Sequence, residues 1–484
     1  MENSKKYLDR VAEMLWSNHG EAIEDICIIL PSRRVRLFLT DALRRVAGRT
    51  FWTPKFYTKA EFFGEVSGYE LLPPLRQLLV LYDLYKSIAA TPDSFGDFVK
   101  WAPIALNDFS DVETSLSDAK KVFSDLRNIR EIENWSFNEE NLSEGQKKFL
   151  QFWEELGLLH NAFREWQRQH GCFTYGALVN LLCEDPEAHK KWDNRKTYWL
   201  AAAGLTDAEL KLIKSSGVHE SIVVLPDVDE YYYADENHEA GKVFRRIQFD
   251  EHWVSNRLSN SDRTVDVYEC ATSYTQTIQT AKILSNMTAE ELRNTAVIIA
   301  DDQLLEQMMS ALSGLPVSLN ISMGIPVFRT PAGRWIQSLL KCFISLRLDR
   351  ASIHYRWFSQ YLNYSVETGM GNEACHLLIK KLVEKNWNFI SAKDLEGYGI
   401  EFPSIEPLMM AVASEDITQF LRRTILLLNH AQPLSEWAAA SVVKLERILE
   451  DLGNDIQQYP VLTEDRSLTE FLFMLMQRER IHFE

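Results

Sequence analysis

Cysteine is scarce and scattered in this chain. Cys27, Cys172, Cys183, Cys270, Cys342 and Cys375 form no C-x-x-C pair and have no histidine at ligand spacing. Structural zinc and iron–sulfur sites need such clusters, so neither is expected. Cys27 lies inside Ile26-Cys-Ile-Ile-Leu30, where a free thiol behaves as a small hydrophobe. Long apolar runs are also missing: none reaches the roughly 18 residues of a membrane-spanning helix. The opening Met1–Arg10 carries Glu2 and Asp9 where a signal peptide would be basic, so a cytoplasmic protein without a membrane partner is the expectation. The 11 histidines make no H-x-x-x-H pair and no triad with Ser or Cys, and nucleophilic catalysis has no support.

Positive charge is in deficit as well. With 52 Lys and Arg against 69 Asp and Glu, the formal charge is −17, which excludes bulk attraction as the way to bind nucleic acid. Any DNA contact has to be local. The 46% hydrophobic and 25% charged residues are those of an ordinary globular protein, and 484 residues are too many for one core. About three or four units are expected.

What is present is an alternation of patterns. Ile26–Leu30 is a β-branched apolar run closed by Pro31, and Val35, Phe38, Leu39, Ala42, Leu43 and Val46 follow at helical spacing; together they predict a strand, a loop and a helix with an apolar face. From Leu75 to about residue 190 the pattern is helical and rich in Trp and Phe, with Ser143 and Gln146 as a capping pair. Strands are predicted again at Tyr198–Ala203 and Ser221–Leu225, parallel neighbours of the first, before the polar linker Val254–Arg263. A second α/β segment is predicted from strands at Thr264–Cys270, Thr295–Ala300 and Pro316–Ile321, with a helix around Gln276–Met287. After Pro331 the pattern is helical, and Ser467 with Glu470 predicts the start of the last helix.

Several segments carry a family likeness, in order along nearly the whole chain. They are Ile29-Leu-Pro-Ser-Arg-Arg34, Leu106-Asn-Asp-Phe-Ser-Asp-Val-Glu113, Leu200-Ala-Ala-Ala-Gly-Leu-Thr-Asp-Ala-Glu209, Pro226-Asp-Val-Asp-Glu-Tyr-Tyr232, His238-Glu-Ala-Gly241, and Asn320-Ile-Ser-Met-Gly-Ile-Pro-Val-Phe-Arg-Thr-Pro331. This set resembles the AddB family, helicase-like proteins fused to a PD-(D/E)XK nuclease that act in bacterial double-strand break repair. The resemblance implies an α/β fold of two RecA-like (P-loop NTPase-like) parallel-sheet lobes, each with a large all-helical insertion, as in superfamily 1 helicases. Residues 1–74 and 191–253 would be the first lobe, 75–190 its insertion, 264–331 an incomplete second lobe, and 332–484 the second insertion. Gly204, Thr206, Asp207 and Glu209 would be a degenerate motif II, Asp227, Asp229 and Tyr231 a degenerate motif III, and Asn320, Met323, Gly324, Pro326 and Thr330 the family motif of the second lobe.

The departures from the family bear on activity. An ATP-driven helicase needs G-x-x-x-x-G-K-[ST], with backbone amides cradling the phosphates, and Met1–Gly20 holds no such loop. Motif II needs an adjacent Asp and Glu for Mg²⁺ and water, and Ala202 to Gly204 stand there instead. No Asp with an (Asp/Glu)-x-Lys supplies a nuclease site. No catalytic residue, cofactor or metal is therefore expected in this chain; Mg²⁺ would belong to a nuclease domain beyond it, and the chain reads as a fragment of a longer protein.

By the same resemblance the function expected is to hold or scan single-stranded or duplex-end DNA beside that nuclease, with an AddA-like helicase–nuclease subunit as partner and a regulatory DNA sequence as a further target. Ser32, Arg33, Arg34 and Arg36, leaving the first predicted strand, are the DNA-binding candidates. Arg44, Arg45 and Arg49 read as surface, Tyr231–Tyr233 as packing more than base stacking, and Asp227 and Asp229 as a solvated loop more than a metal site. The alternative is a protein-binding scaffold with a degenerate helicase fold that never touches DNA.

Overall fold

The computed structural model describes the chain apart from residues 1–4, 124–143, 186–194, 216–220, 261, 316–318, 347–351, 392, 396–407, 409–413, 415–416, 429–430, 434 and 482–484, with backbone alone at 144–150 and parts of 454–465. It divides into two compact units, Met1–Pro92 with Lys100–Thr264, and Asp93–Val99 with Val265–Glu484. The capping pair Ser143 and Gln146 lies outside the described side chains. No helix among the described residues is long and apolar enough to cross a membrane.

The strands of the first unit are β1 (Cys27–Leu30), β2 (Lys55–Thr58), β3 (Glu70–Leu71), β4 (Cys172–Phe173), β5 (Thr197–Leu200) and β6 (Ile222–Leu225). Four of them form one parallel sheet in the order β2-β1-β5-β6, registered by Ile28↔Phe56, Ile28↔Tyr198 and Tyr198↔Val223. The three expected strands are thus parallel neighbours, and β2 joins them unannounced. Continuous apolar runs fit because both faces are covered. Ile28, Leu30, Tyr198, Leu200 and Leu225 pack on Val11, Leu15, Leu39 and Leu43 of the helices Tyr7–His19 and Val35–Ala47. On the other face Ile29, Trp199 and Val224 meet Phe62, Phe63, Leu178 and Leu210. Each such aliphatic side chain contributes about 1.5–3 kcal/mol by leaving water.

The helical region between β3 and β5 includes Phe95–Thr114, Glu144–His170 and Tyr175–Glu184, and among its described residues only β4, paired in parallel with β3, interrupts it. Glu113, the last residue of its family-like segment, is buried rather than presented. Its carboxylate lies 3.4 Å from His160 Nε2 and 3.6 Å from Arg164 Nε, and its carbonyl accepts from Asn180 Nδ2 at 3.0 Å. Leu106, Phe109 and Glu113 of that segment are buried, while Asn107, Asp108 and Asp111 are exposed.

In the second unit the expected parallel strands do not form. Thr264–Cys270, Thr295–Ala300 and the described part of Pro316–Ile321 carry no strand. Val267 is 89% and Ile298 92% exposed: alternating β-branched residues favour a strand only where a neighbour supplies ladder bonds, and none does among the described residues. The helices Ser273–Ser285, Ala289–Arg293 and Leu305–Leu312 instead gather around Leu284, Met308 and Leu312.

The helices Tyr355–Glu367, Ile417–Leu428, Glu436–Gln458 and Asp465–Arg478 pack around Pro331–Ile344, whose Trp335 donates to Ser365 Oγ at 3.1 Å and whose Phe343 stacks on Phe420 at 4.6 Å, and Ala374–Glu384 packs on Tyr355–Glu367. Strand β7 (Ile325–Pro326) leads into this helix; β8 (Ser352–His354) and β9 (Phe389–Ser391) form a separate antiparallel pair. β10 (Arg480–Ile481) closes antiparallel on β7. The last helix begins at Asp465, two residues before Ser467, whose hydroxyl donates to Glu464 at 2.7 Å; Ser467 is in the first turn and not its cap.

Candidate nucleic-acid interface

In an open parallel sheet, ligands gather at the carboxyl ends of the strands where the chain reverses its direction of winding. Here β1 is followed by β2 on one side and, after the helical region, by β5 on the other, so the switch point lies between β1 and β5. The turn Pro31–Arg34 leaves β1 there and the loop Ala201–Thr206 leaves β5.

The first turn carries the expected arginines. Ser32 and Arg33 are exposed, and Arg33 Nη2 lies 2.5 Å from Glu61 Oε1. Arg34 sets its guanidinium 5.8 Å from the ring centroid of Phe38, and Arg36 sets its own 5.6 Å from that of Phe56. Phe38, at helical spacing with Leu39 and Ala42, is 53% exposed, beside exposed Leu37. The turn therefore presents cations and an aromatic face together, the combination that suits an unpaired strand's phosphates and bases. The first amides of the helix are taken: Val35 N donates to Ser32 O, Arg36 N to Arg33 O and Leu37 N to Arg34 O, at 3.1–3.2 Å. This is a continued turn, without the open amides that a phosphate cradle presents.

The loop after β5 is pinned by its own acids. Thr206 caps the helix Asp207–Lys214 in a reciprocal box with Glu209, Thr206 N donating to Oε2 at 2.8 Å and Glu209 N to Thr206 Oγ1 at 3.3 Å. Glu209 is completely buried, holds the Lys59 ammonium at 3.0 Å and accepts from the Tyr175 hydroxyl. Asp207 is paired with Arg246 at 2.6 Å. Gly204 lies in open space at an ordinary φ, and the left-handed residue is Ala201, φ 47°. Ala201 N donates to Leu225 O at 2.9 Å and to the Tyr7 hydroxyl at 3.2 Å, which itself donates to Leu225 O at 2.7 Å. Burial pushes the Tyr7 phenol above its ordinary range.

The loop after β6 departs most from expectation. Asp229 is not solvated: it is buried and accepts from Arg257 N at 2.7 Å, Ser255 Oγ at 2.9 Å, and the amides of Tyr231 and Leu258 at 3.2 Å. Burial raises its pKa, and these donors more than offset that, holding the carboxyl below its usual range. The expected linker Val254–Arg263 is tied to the loop after β6 by this carboxylate and by the backbone, Ser255 N donating to Val228 O at 2.9 Å and Glu230 N to Ser255 O at 2.7 Å. Asp227 stays exposed at the rim; partial desolvation raises its pKa against the opposing pull of Arg257 and Arg10. Tyr231 is exposed, with His238 5.2 Å and Tyr232 5.1 Å away, centroid to centroid. The following His238-Glu-Ala-Gly241 is a knot: Arg245 donates to the carbonyls of Tyr232, Tyr233, Glu236 and His238 at 2.7–3.3 Å.

The structure thus brings Ser32–Arg36, Gly204–Glu209 and Asp227–Tyr231 to the carboxyl end of one sheet. The partners missed from sequence, Tyr7, Lys59, Glu61 and Tyr175, lie 28 to 218 positions from what they bind, and no local pattern marks them. No group of three or more metal-ligating side chains occurs among the described residues.

The motif of the second unit is structural. Thr330 is buried, caps the helix Pro331–Ile344 by accepting from Gly333 N at 3.1 Å, and donates to Val327 O at 2.7 Å. A Cβ at Gly333 would lie 1.8 Å from Val327 O, so glycine at this position is a steric requirement. Pro326 is registered with Arg480, whose guanidinium reaches Gly324 O at 3.0 Å. Asn320 is exposed and Met323 half-buried ahead of this joint.

A scan of protein-family profiles finds no match to this chain, and a search of curated proteins finds none either.

Proposed function

We propose that this chain is the non-catalytic, helicase-like part of an AddB-type DNA-repair exonuclease, and that it holds single-stranded DNA beside a nuclease domain supplied outside these residues. On this reading the sheet β2-β1-β5-β6 with its helical region is the first of two RecA-like lobes, and Val265–Pro331 belongs to the second. An AddA-like subunit is the partner that unwinds, and Mg²⁺ serves only the nuclease. The observation that carries the reading is the cation–aromatic turn of Arg33, Arg34, Arg36 and Phe38 at the winding switch of the sheet. Its charge is local, as a chain of formal charge −17 requires. Arg33 is not lost to Glu61, since an exposed pair contributes at most about 1 kcal/mol and a phosphate can compete for it.

The test is fluorescence anisotropy of a labelled single strand with the wild type and with R33A/R34A/F38A. The expected outcome is binding that the triple variant weakens by roughly tenfold or more, uniformly across sequences. Equal binding by both proteins would move the interface elsewhere.

The scaffold reading rests on a different observation: Val265, Val267 and Ile298 are exposed with no strand partner among the described residues, apolar surface that suits a protein neighbour. It predicts no single-strand binding at any salt concentration.

A further inference from the structure

Arg33 and Glu61 meet across two elements, the turn after β1 and the helix Lys59–Ser67 that follows β2. Their side chains are unequal partners, Arg33 being 81% and Glu61 39% exposed. Glu61 is held from behind: its Oε2 accepts from Thr58 N at 2.8 Å and from Thr58 Oγ1 at 2.9 Å, while Glu61 N donates to Thr58 Oγ1 at 3.4 Å. This is the reciprocal box that starts the helix. It occupies one carboxylate oxygen and leaves Oε1 to face Arg33 Nη2 at 2.5 Å.

The box itself does not require a charge, because glutamine offers the same acceptor oxygen at this position. The Thr58 amide, opposed by partial burial and aided by the Thr58 hydroxyl and Arg33, holds the Glu61 carboxyl below its usual range, so the group is an anion at neutral pH. Glu209, which holds neighbouring Lys59, is completely buried; Glu61 instead holds its cation in solvent. A carboxylate and a phosphate offer a guanidinium the same forked pair of oxygens. A phosphate that takes Arg33 at this edge therefore has to displace Glu61, and one that arrives from another side is repelled by it.

We propose that Glu61 is a built-in competitor for the phosphate at Arg33, an acid that makes the turn after β1 a weak, rapidly exchanging contact for a single strand. This rests on the reading of that turn as the contact to the strand's backbone. In the free protein the carboxylate occupies the guanidinium, and when a phosphate leaves it recaptures the arginine. The effect falls mainly on dissociation, where most affinity differences between related complexes lie. An exposed pair contributes at most about 1 kcal/mol, about fivefold in affinity, so the competitor weakens the contact without abolishing it.

The experiment is fluorescence anisotropy and stopped-flow dissociation of a labelled oligo(dT) with the wild type, E61Q, R33A and R33A/E61Q at several salt concentrations, with thermal melts of each protein. E61Q keeps the box and should melt with the wild type. It should bind the strand roughly twofold to fivefold more tightly and release it more slowly by a similar factor. The gain should shrink as salt rises, because the ion pair and the repulsion are both screened, and it should all but vanish between R33A and R33A/E61Q, where there is no guanidinium to free. E61Q binding no more tightly than the wild type, with R33A still weakened, would overturn this inference and leave the DNA-contact reading standing. An equal gain in the R33A background would also overturn it, since the acid would then act by general repulsion of the strand. No strand binding by the wild type or E61Q would overturn both.

Discussion

Lys59, the first helical residue after β2, sets its ammonium 3.0 Å from the carboxylate of Glu209, which is completely buried on the helix that follows β5. One salt bridge thus joins the loops at the ends of two strands that are not adjacent in the sheet. Lys59 also donates to Gly204 O at 3.0 Å, so the loop after β5 is held by its backbone and its acid at once.

Removing Glu209 should therefore cost more than a surface acid does. Glu209→Ala deletes the Lys59 pair, the Tyr175 hydroxyl's acceptor and half of the capping box, and the expected loss is about 2–4 kcal/mol. Asp207→Ala, which breaks only an exposed pair with Arg246, should cost under about 1 kcal/mol. Urea denaturation of the two variants measures the difference, and equal midpoints would contradict the buried bridge.

Two glycines of the family-like segments should respond in opposite ways. A Cβ on Gly241 would lie 2.0 Å from Tyr232 O and 2.3 Å from Arg245 Nη1, so Gly241→Ala must push apart the knot that Arg245 ties, at a cost of roughly 1–3 kcal/mol or more. Gly204 has nothing within 4 Å and an ordinary φ, so Gly204→Ala should be neutral or stabilise by up to about 1 kcal/mol through the unfolded chain. Thermal melts of both variants check this, and a stable Gly241→Ala would show the knot to be loose.

Asp229 supplies a pH dependence with a defined sign. Its carboxyl is held below the ordinary value of 3.8 by four donors. A depressed folded pKa means that the stabilisation is fully present above the unfolded value and is lost as pH falls through the folded one. Asp229→Ala should be less stable than the wild type at neutral pH by about 2–4 kcal/mol, and the gap should narrow as pH drops below 3.8. A gap independent of pH would mean that the donors do not discriminate the ionised form.

The legible parts of the fold were those whose burial is written locally. β1, β5 and β6 are short apolar runs because the sheet is covered on both faces. β2 was not legible, since Lys55-Phe-Tyr-Thr58 is an edge strand with an exposed lysine and partly buried neighbours. Val265-Asp-Val-Tyr268 misled in the opposite direction, because alternation records a preference for pairing and not the presence of a partner. At the site, Ser32–Arg36 could be found from the strand end that precedes them, while the outward turn of Phe38 could not, since a helix with apolar residues on two sides has no unique inner face. The sequence Thr206-Asp-Ala-Glu209 has the spacing of a capping box, and reading it as a displaced nucleotide motif hid its structural role.

The most direct test of the central claim, that the turn after β1 tracks the backbone of a single strand, is the salt dependence of binding. With Arg33, Arg34 and Arg36 each neutralising a phosphate, the logarithm of the association constant should fall against the logarithm of salt concentration with a slope of about −2, each phosphate contributing about −0.7 on single strands. In R33A/R34A/R36A the slope should flatten towards zero. A wild-type slope near zero, or one that survives in the triple variant, would contradict the account.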